Sequence, residues 1–224
     1  MRTKSLMILC ALFYLLPSKG FSQRRGGGDD KWDFAAMVLD FNANYNALSG
    51  KEEIKPGASY FKNVSTPGMT FGLGYESNPF RGMPWLGMGI KLTYNTFSMP
   101  KDSGAGSPSA RSYDMLAMIN VHVFRNETWD VPVGFHYGGS WFKETLNDAL
   151  GTTAKATGYI MQVGVFPRYY FNDHLGVNMH ITYTIYHYDD IYYHNSMSQD
   201  PFGDDLTALS LSGISIGAGL QYHF

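Results

Sequence analysis

Counting back from Phe224, every second residue of the terminal stretch is apolar or aromatic: Tyr222, Leu220, Ala218, Ile216 and Ile214. Between them stand His223, Gln221, Gly219, Gly217 and Ser215. A period of two sends successive side chains to opposite faces of a strand, so residues 206–224 are predicted as a strand with one greasy face and one small or polar face. Seven earlier segments repeat the pattern, at about 33–45, 68–77, 85–97, 112–124, 131–142, 157–171 and 175–188. In the third, Leu86, Met88, Ile90, Leu92 and Tyr94 alternate with Gly87, Gly89, Lys91, Thr93 and Asn95, and the second of those faces is no globular core. The fourth departs from the rule, because Leu116 and Met118 interrupt a face otherwise made by Asp114, Asn120 and His122. No stretch carries a helical period over a useful length.

The intervals between segments alternate in length. Those after the first, third, fifth and seventh are long (46–67, 98–111, 143–156, 189–205), and those after the second, fourth and sixth are short (78–84, 125–130, 172–174). Segments long enough to cross a bilayer as tilted strands, with long and short connections on opposite rims, predict an all-β fold: an eight-stranded antiparallel up-and-down transmembrane β-barrel. Every unpaired N–H or C=O in hydrocarbon costs several kcal/mol, so the first strand must close on the eighth. An even strand count returns both termini to the short-turn rim, expected to be periplasmic. Trp32, Tyr45, Tyr94, Tyr113, Trp129, Trp141, Tyr183 and Tyr222 near strand ends fit interfacial girdles.

Composition agrees with strands rather than helices as the membrane element. The chain has 224 residues, of which 16% are charged, and a mean hydropathy of -0.20, too polar for a helical membrane bundle. Residues 1–22 read as a signal peptide: Arg2 and Lys4, an apolar run from Leu6 to Leu16, then Gly20 and Ser22 before Gln23. Cys10, the only cysteine, lies inside that run behind Leu9, which argues against a lipoprotein anchor. Residues 23–31 (QRRGGGDDK) form a flexible leader, and 32–224 the barrel. Without Arg2, Lys4 and Lys19, 14 basic residues face 19 acidic ones, a formal charge of -5. No nucleic-acid partner is expected.

Three short motifs carry a family likeness: the GFSQ end of the signal, FPRYYF at 166–171 leading through a tight turn into 175–188, and the terminal GLQYHF. With them the chain resembles the small outer-membrane β-barrel proteins of the Bacteroidota, the PorT-like outer membrane protein beta-barrel group. It is also similar in architecture to OmpA/OmpX-type barrels. The resemblance implies an outer-membrane location, with outer-membrane lipid and the barrel-assembly machinery as partners, and Leu220, Tyr222 and Phe224 as an assembly signal. It transfers fold far better than function. Two roles follow from it: a structural or interaction barrel that displays extracellular loops or partners an envelope complex, or a porin-like or OmpW-like transport barrel for small or apolar solutes.

Parity places Asp40, Glu76, Lys91, Asp114 and Arg168 inside. Eight strands leave a lumen just wide enough for side chains, and charges held there are expected to pair. Lys91 is expected to pair with Glu76 or Asp114 on neighbouring strands, and Arg168 to reach across, which predicts a plugged barrel. His122, His136, His180 and His223 also face inward. They come from four strands without zinc-like spacing, so no metal and no other cofactor is expected. His136 and Ser140 share a face, the nearest approach to a base and nucleophile pair, but four residues along a strand separate them by about 13 Å. No enzyme is expected. The segment 189–205 (DDIYYHNSMSQDPFGDD) does not match an EF-hand. Its Tyr192, Tyr193 and His194 are expected as exposed loop contacts for an envelope protein or surface ligand.

Overall fold

Nine strand segments run antiparallel to their neighbours in the computed structural model: β1 (Met37–Lys55), β2 (Tyr60–Ser77), β3 (Leu86–Ser98), β4 (Ser109–Arg125), β5 (Trp129–Thr145), β6 (Thr153–Val165), β7 (Arg168–Tyr170), β8 (Leu175–His194) and β9 (Leu206–His223). The structure describes residues 37–55, 60–80, 83, 85–98, 109–126, 128–145, 152–194 and 206–224. The expected signal peptide and leader, with Trp32, lie outside the described residues. β1 pairs with β9 as well as β2, and β4 with β5 as well as β3, so the sheet has no free edge. Closure of this kind satisfies the backbone without help from solvent.

The barrel is eight-stranded because β6 and β7 occupy one position in the wall, each pairing with both β5 and β8. An unbroken sixth strand over 157–171 was expected. The break falls at Phe166 and Pro167, since proline has no N–H for the ladder. The wall stays bonded around it: Phe166 N donates to Pro132 O at 2.9 Å, and Met179 N donates to Pro167 O at 2.8 Å.

Each short turn is organised by an asparagine whose side-chain oxygen takes backbone N–H groups that the turn would otherwise strand. Asn78 accepts from Phe80, Asn126 from Thr128 and Trp129, and Asn172 from His174 and Leu175. The opposite rim differs from expectation. β1, β2, β8 and β9 are 18 to 20 residues long, about twice what a membrane crossing requires. Most of 46–67 and residues 189–194 of the 189–205 segment, expected as loop, therefore continue the sheet, up to the pairing of Ile54 with Tyr60. In β8 a bulge lies between Tyr188 and Ile191, where Asp190 has φ 51°. The extra residue resets the alternation, so Ile191 is buried like Tyr186 and Tyr188 while Tyr192 stays exposed.

Toward this long-loop rim the two faces exchange character. On β1 the outward residues pass from Phe41 and Tyr45 to Ser49 and Lys51, while the inward ones pass from Asn42, Asn44 and Asn46 to Leu48. β9 repeats the exchange, from Ile216 and Ile214 outside to Ser212 and Ser210, and from Ser215 inside to Leu211 and Leu209. On β5, Trp141 outside gives way to Lys143, and Ser140 inside to Phe142. Lipid selects apolar side chains on the outside of the lower zone. Beyond it the wall meets water, and the hydrophobic effect drives the apolar residues inward instead.

Candidate functional site

The lumen is filled in layers, and the lowest is a closed ring of four charged or titratable side chains. Arg168 Nη2 donates to Glu76 Oε2 at 2.5 Å and Nη1 to Asp130 Oδ2 at 3.4 Å. The His122 ring completes the circuit, with Nε2 at 2.9 Å from Glu76 Oε1 and Nδ1 at 2.7 Å from Asp130 Oδ1. All four residues are buried. Glu76 and Arg168 lie 92 positions apart in sequence and on opposite walls, four strands apart in either direction around the barrel. Their contact therefore crosses the whole lumen. Asn120 Nδ2 adds a bond to Glu76 Oε2 at 2.7 Å, and His136 Nε2 donates to Asn120 Oδ1 at 3.1 Å.

Two inward glycines make room for this layer. A Cβ at Gly87 would run into Glu76 Oε1 and lie 3.0 Å from His122 Nε2; one at Gly134 would meet Asn120 Oδ1 and stand 2.9 Å from the Phe166 ring.

Above the ring, Asp40 is held by neutral or imidazole donors: Asn42 Nδ2 at 2.5 Å, His180 Nε2 at 3.3 Å, and Asn178 Nδ2. Lys91 faces it across Gly74, the residue that pairs with both. Among the described residues no hydrogen bond or ion pair reaches Lys91, although it is buried and lies in the field of Asp40 and Asp114. The expected pairing with Glu76 or Asp114 is thus not made. Glu76 is taken instead by Arg168 and His122, which reach it from β7 and β4. Asp114 is satisfied by five neutral donors instead: Thr93, Asn95, Ser112, Ser140 and Tyr186. A cavity of about 20 Å³ remains, lined by Asp40, Glu76, Lys91, His136, Arg168 and His180, room for about one water. Phe166, turned inward at the wall break, stacks on His136 at 4.8 Å and meets His180 edge-on at 5.2 Å.

The uppermost layer is apolar. Leu48, Val64, Phe97, Phe142, Tyr188 and Leu211 belong to one buried cluster, with the Phe97 and Tyr186 rings edge-to-face at 5.6 Å. Leu116 and Met118, which break the polar face of the fourth segment in sequence, point inward and are buried.

The four inward histidines do not converge. His122 belongs to the ring, His136 and His180 flank Phe166, and His223 lies at the short-turn rim near Asp173 O. His136 and Ser140 are not bonded to each other: Ser140 donates to Asp114 and meets Tyr188 OH at 2.7 Å. Leu220, Tyr222 and Phe224 face outward and are exposed, and Phe224 N donates to Met37 O at 3.1 Å. Tyr192, Tyr193 and His194 are strand, paired with 153–155, rather than loop; Tyr192 is exposed, and the side chains of the other two lie outside the described residues.

The sequence reading missed Asp130, placed in a short turn. The inward parity of Pro132, Gly134 and His136 carried two residues back would have found it. It also missed the apolar layer, whose signal is the same alternation continued past each predicted strand end with its polarity reversed.

The family model described as outer membrane protein beta-barrel domain matches residues 29–224. Among solved structures, the chain is similar to the outer membrane protein OprG from Pseudomonas aeruginosa, at 14% identity and a TM-score of 0.59 over 86% of this chain and 97% of that one. It is also similar to a major outer membrane protein from Thermus thermophilus, at 12% identity and a TM-score of 0.53 over 84% and 100%. At such identities the likeness is one of fold. No curated protein sequence matches.

Proposed function

The chain belongs to the outer membrane protein beta-barrel domain family, and on that basis we propose that it is a closed, non-conducting barrel with a structural or interaction role exercised at its long-loop rim. The observation that carries this reading is the ring of Glu76, Arg168, Asp130 and His122, which ties opposite walls together across the lumen. The apolar layer above it adds a second closure. A hydrated ion meets the ring at one end and the apolar cluster at the other, and the cavity beside the ring has room for about one water.

In this reading the long-loop rim faces outward, both termini are periplasmic, and the exposed C-terminal Leu220, Tyr222 and Phe224 are read by the assembly machinery. The sheet extended beyond the lipid presents the exposed Tyr192 to an envelope protein or surface ligand. The refolded full-length protein in planar bilayers tests the central claim: no steady current is expected. Steady ion-selective current would overturn the closed lumen and move the assignment to transport of small solutes. Deleting Phe224 tests the signal, since lower insertion in cells with unchanged heat-modifiability after refolding is expected; normal insertion would remove it.

A further inference from the structure

Three cations stand side by side on the outer face, just above the aromatic belt. Arg111 on β4 pairs in register with Lys143 on β5, and Lys143 with Lys155 on β6. Their side chains lie on the outward face, because the neighbours Ala110, Phe142 and Ala154 are the buried, inward ones. Like charges directly opposite on adjacent strands destabilise a sheet, so this row is unfavourable unless an anion answers it.

Among the described residues no side chain supplies that anion. Among the described residues none of the three makes a hydrogen bond or ion pair. Asp189, on the adjoining β8 and opposite Thr157, is engaged by His187 at 3.0 Å. Glu144, next to Lys143, is buried on the inner side. The cations are also gathered on one side of the barrel. At comparable height β1 and β9 carry Ser49, Ser210 and Ser212 outward, β3 carries Thr96 and Ser98, and Lys51 already has a partner within the chain.

Their height identifies the anion's source. Two residues below Arg111 and Lys143 are Tyr113 and Trp141, register partners that are 53% and 49% exposed. Aromatics of this kind sit where acyl chains meet headgroups, and two residues along a strand advance about 7 Å. The row therefore stands at the level of headgroup phosphates. Resting on the outward orientation proposed above, we propose that Arg111, Lys143 and Lys155 bind the phosphates of a phosphorylated glycolipid in the outer leaflet. Arg111 offers the planar fork that takes two phosphate oxygens, and the lysines act as point charges beside it.

Titration of the full-length protein, in non-ionic detergent micelles, with diphosphorylated lipid A tests the row. The triple variant R111Q/K143Q/K155Q is expected to bind at least tenfold more weakly, and R111K alone to fall between it and wild type, keeping the charge but losing the fork. Heat-modifiable migration on a gel checks that each is folded. Equal binding by wild type and triple variant would overturn the proposal. A dephosphorylated glycolipid is expected to bind both proteins equally weakly; tight binding of it by wild type would exclude phosphate recognition. Millimolar pyrophosphate is not expected to displace the lipid, and efficient displacement would assign the row to a soluble anion instead. Orientation is read separately by labelling Lys155→Cys on intact cells with a membrane-impermeant maleimide. Labelling is expected, and its absence would refute the outward rim while leaving micelle binding intact.

Discussion

The lower and upper zones of this barrel are built from the same strands with opposite logic. Near the short-turn rim the outside is apolar and the inside polar, as Ile216 against Ser215 illustrates; near the long-loop rim the outside is polar and the inside apolar, as Ser210 against Leu211 illustrates. Backbone pairing is continuous through the change. The hydrogen-bonded wall is therefore indifferent to what surrounds it, and solvent alone decides which face is greasy. The contrast also assigns two kinds of stabilisation. The lower zone is held by charge pairing and hydrogen bonds across the lumen, the upper by apolar burial like that of a soluble protein.

The most damaging change to the lower zone is removal of one member of its ring. Arg168→Met would leave Glu76 and Asp130 short of a buried cation, at an expected cost of about 3 to 5 kcal/mol, measured by urea unfolding of protein refolded in micelles. A negligible loss would mean that water already screens the ring. In the upper zone, Leu211→Ala is expected to cost about 2 to 5 kcal/mol through lost burial and the cavity left behind. If it cost less than about 1 kcal/mol, the apolar layer would not be a core of the kind found in water.

The outer surface marks the boundary between zones. Ile216→Arg, in the lipid band, is expected to cost about 2 to 4 kcal/mol, against about 0 to 1 kcal/mol for Ser212→Arg four residues higher on the same face. Equal costs at the two positions would erase the distinction. The smallest effect is expected at Lys91. Neither Asp114, with five donors, nor Asp40, with three, depends on it for a hydrogen bond. Lys91→Met also recovers the desolvation of a buried ammonium, so a change within about 1 kcal/mol is expected. A loss as large as that of Arg168→Met would show that its field on the two carboxylates matters without contact.

Whatever a strand decides locally was legible in the sequence. Alternation with period two placed Asp40, Glu76, Lys91, Asp114 and Arg168 inside, and Phe41, Ile181 and Ile216 outside, because parity needs no knowledge of any partner strand. The short turns were legible for the same reason, since Asn78, Asn126 and Asn172 act on backbone groups two or three residues away. Parity does not say which inward groups meet, and here only the closed sheet decided. Register and curvature brought Arg168 to Glu76 over 92 positions and left Lys91, flanked by carboxylates in sequence order, without a hydrogen bond or ion pair among the described residues. The extent of the strands was likewise a tertiary decision: beyond the lipid the polarity of each face reverses, and a pattern that reads as loop in 46–67 continues as sheet because its neighbours supply the hydrogen bonds.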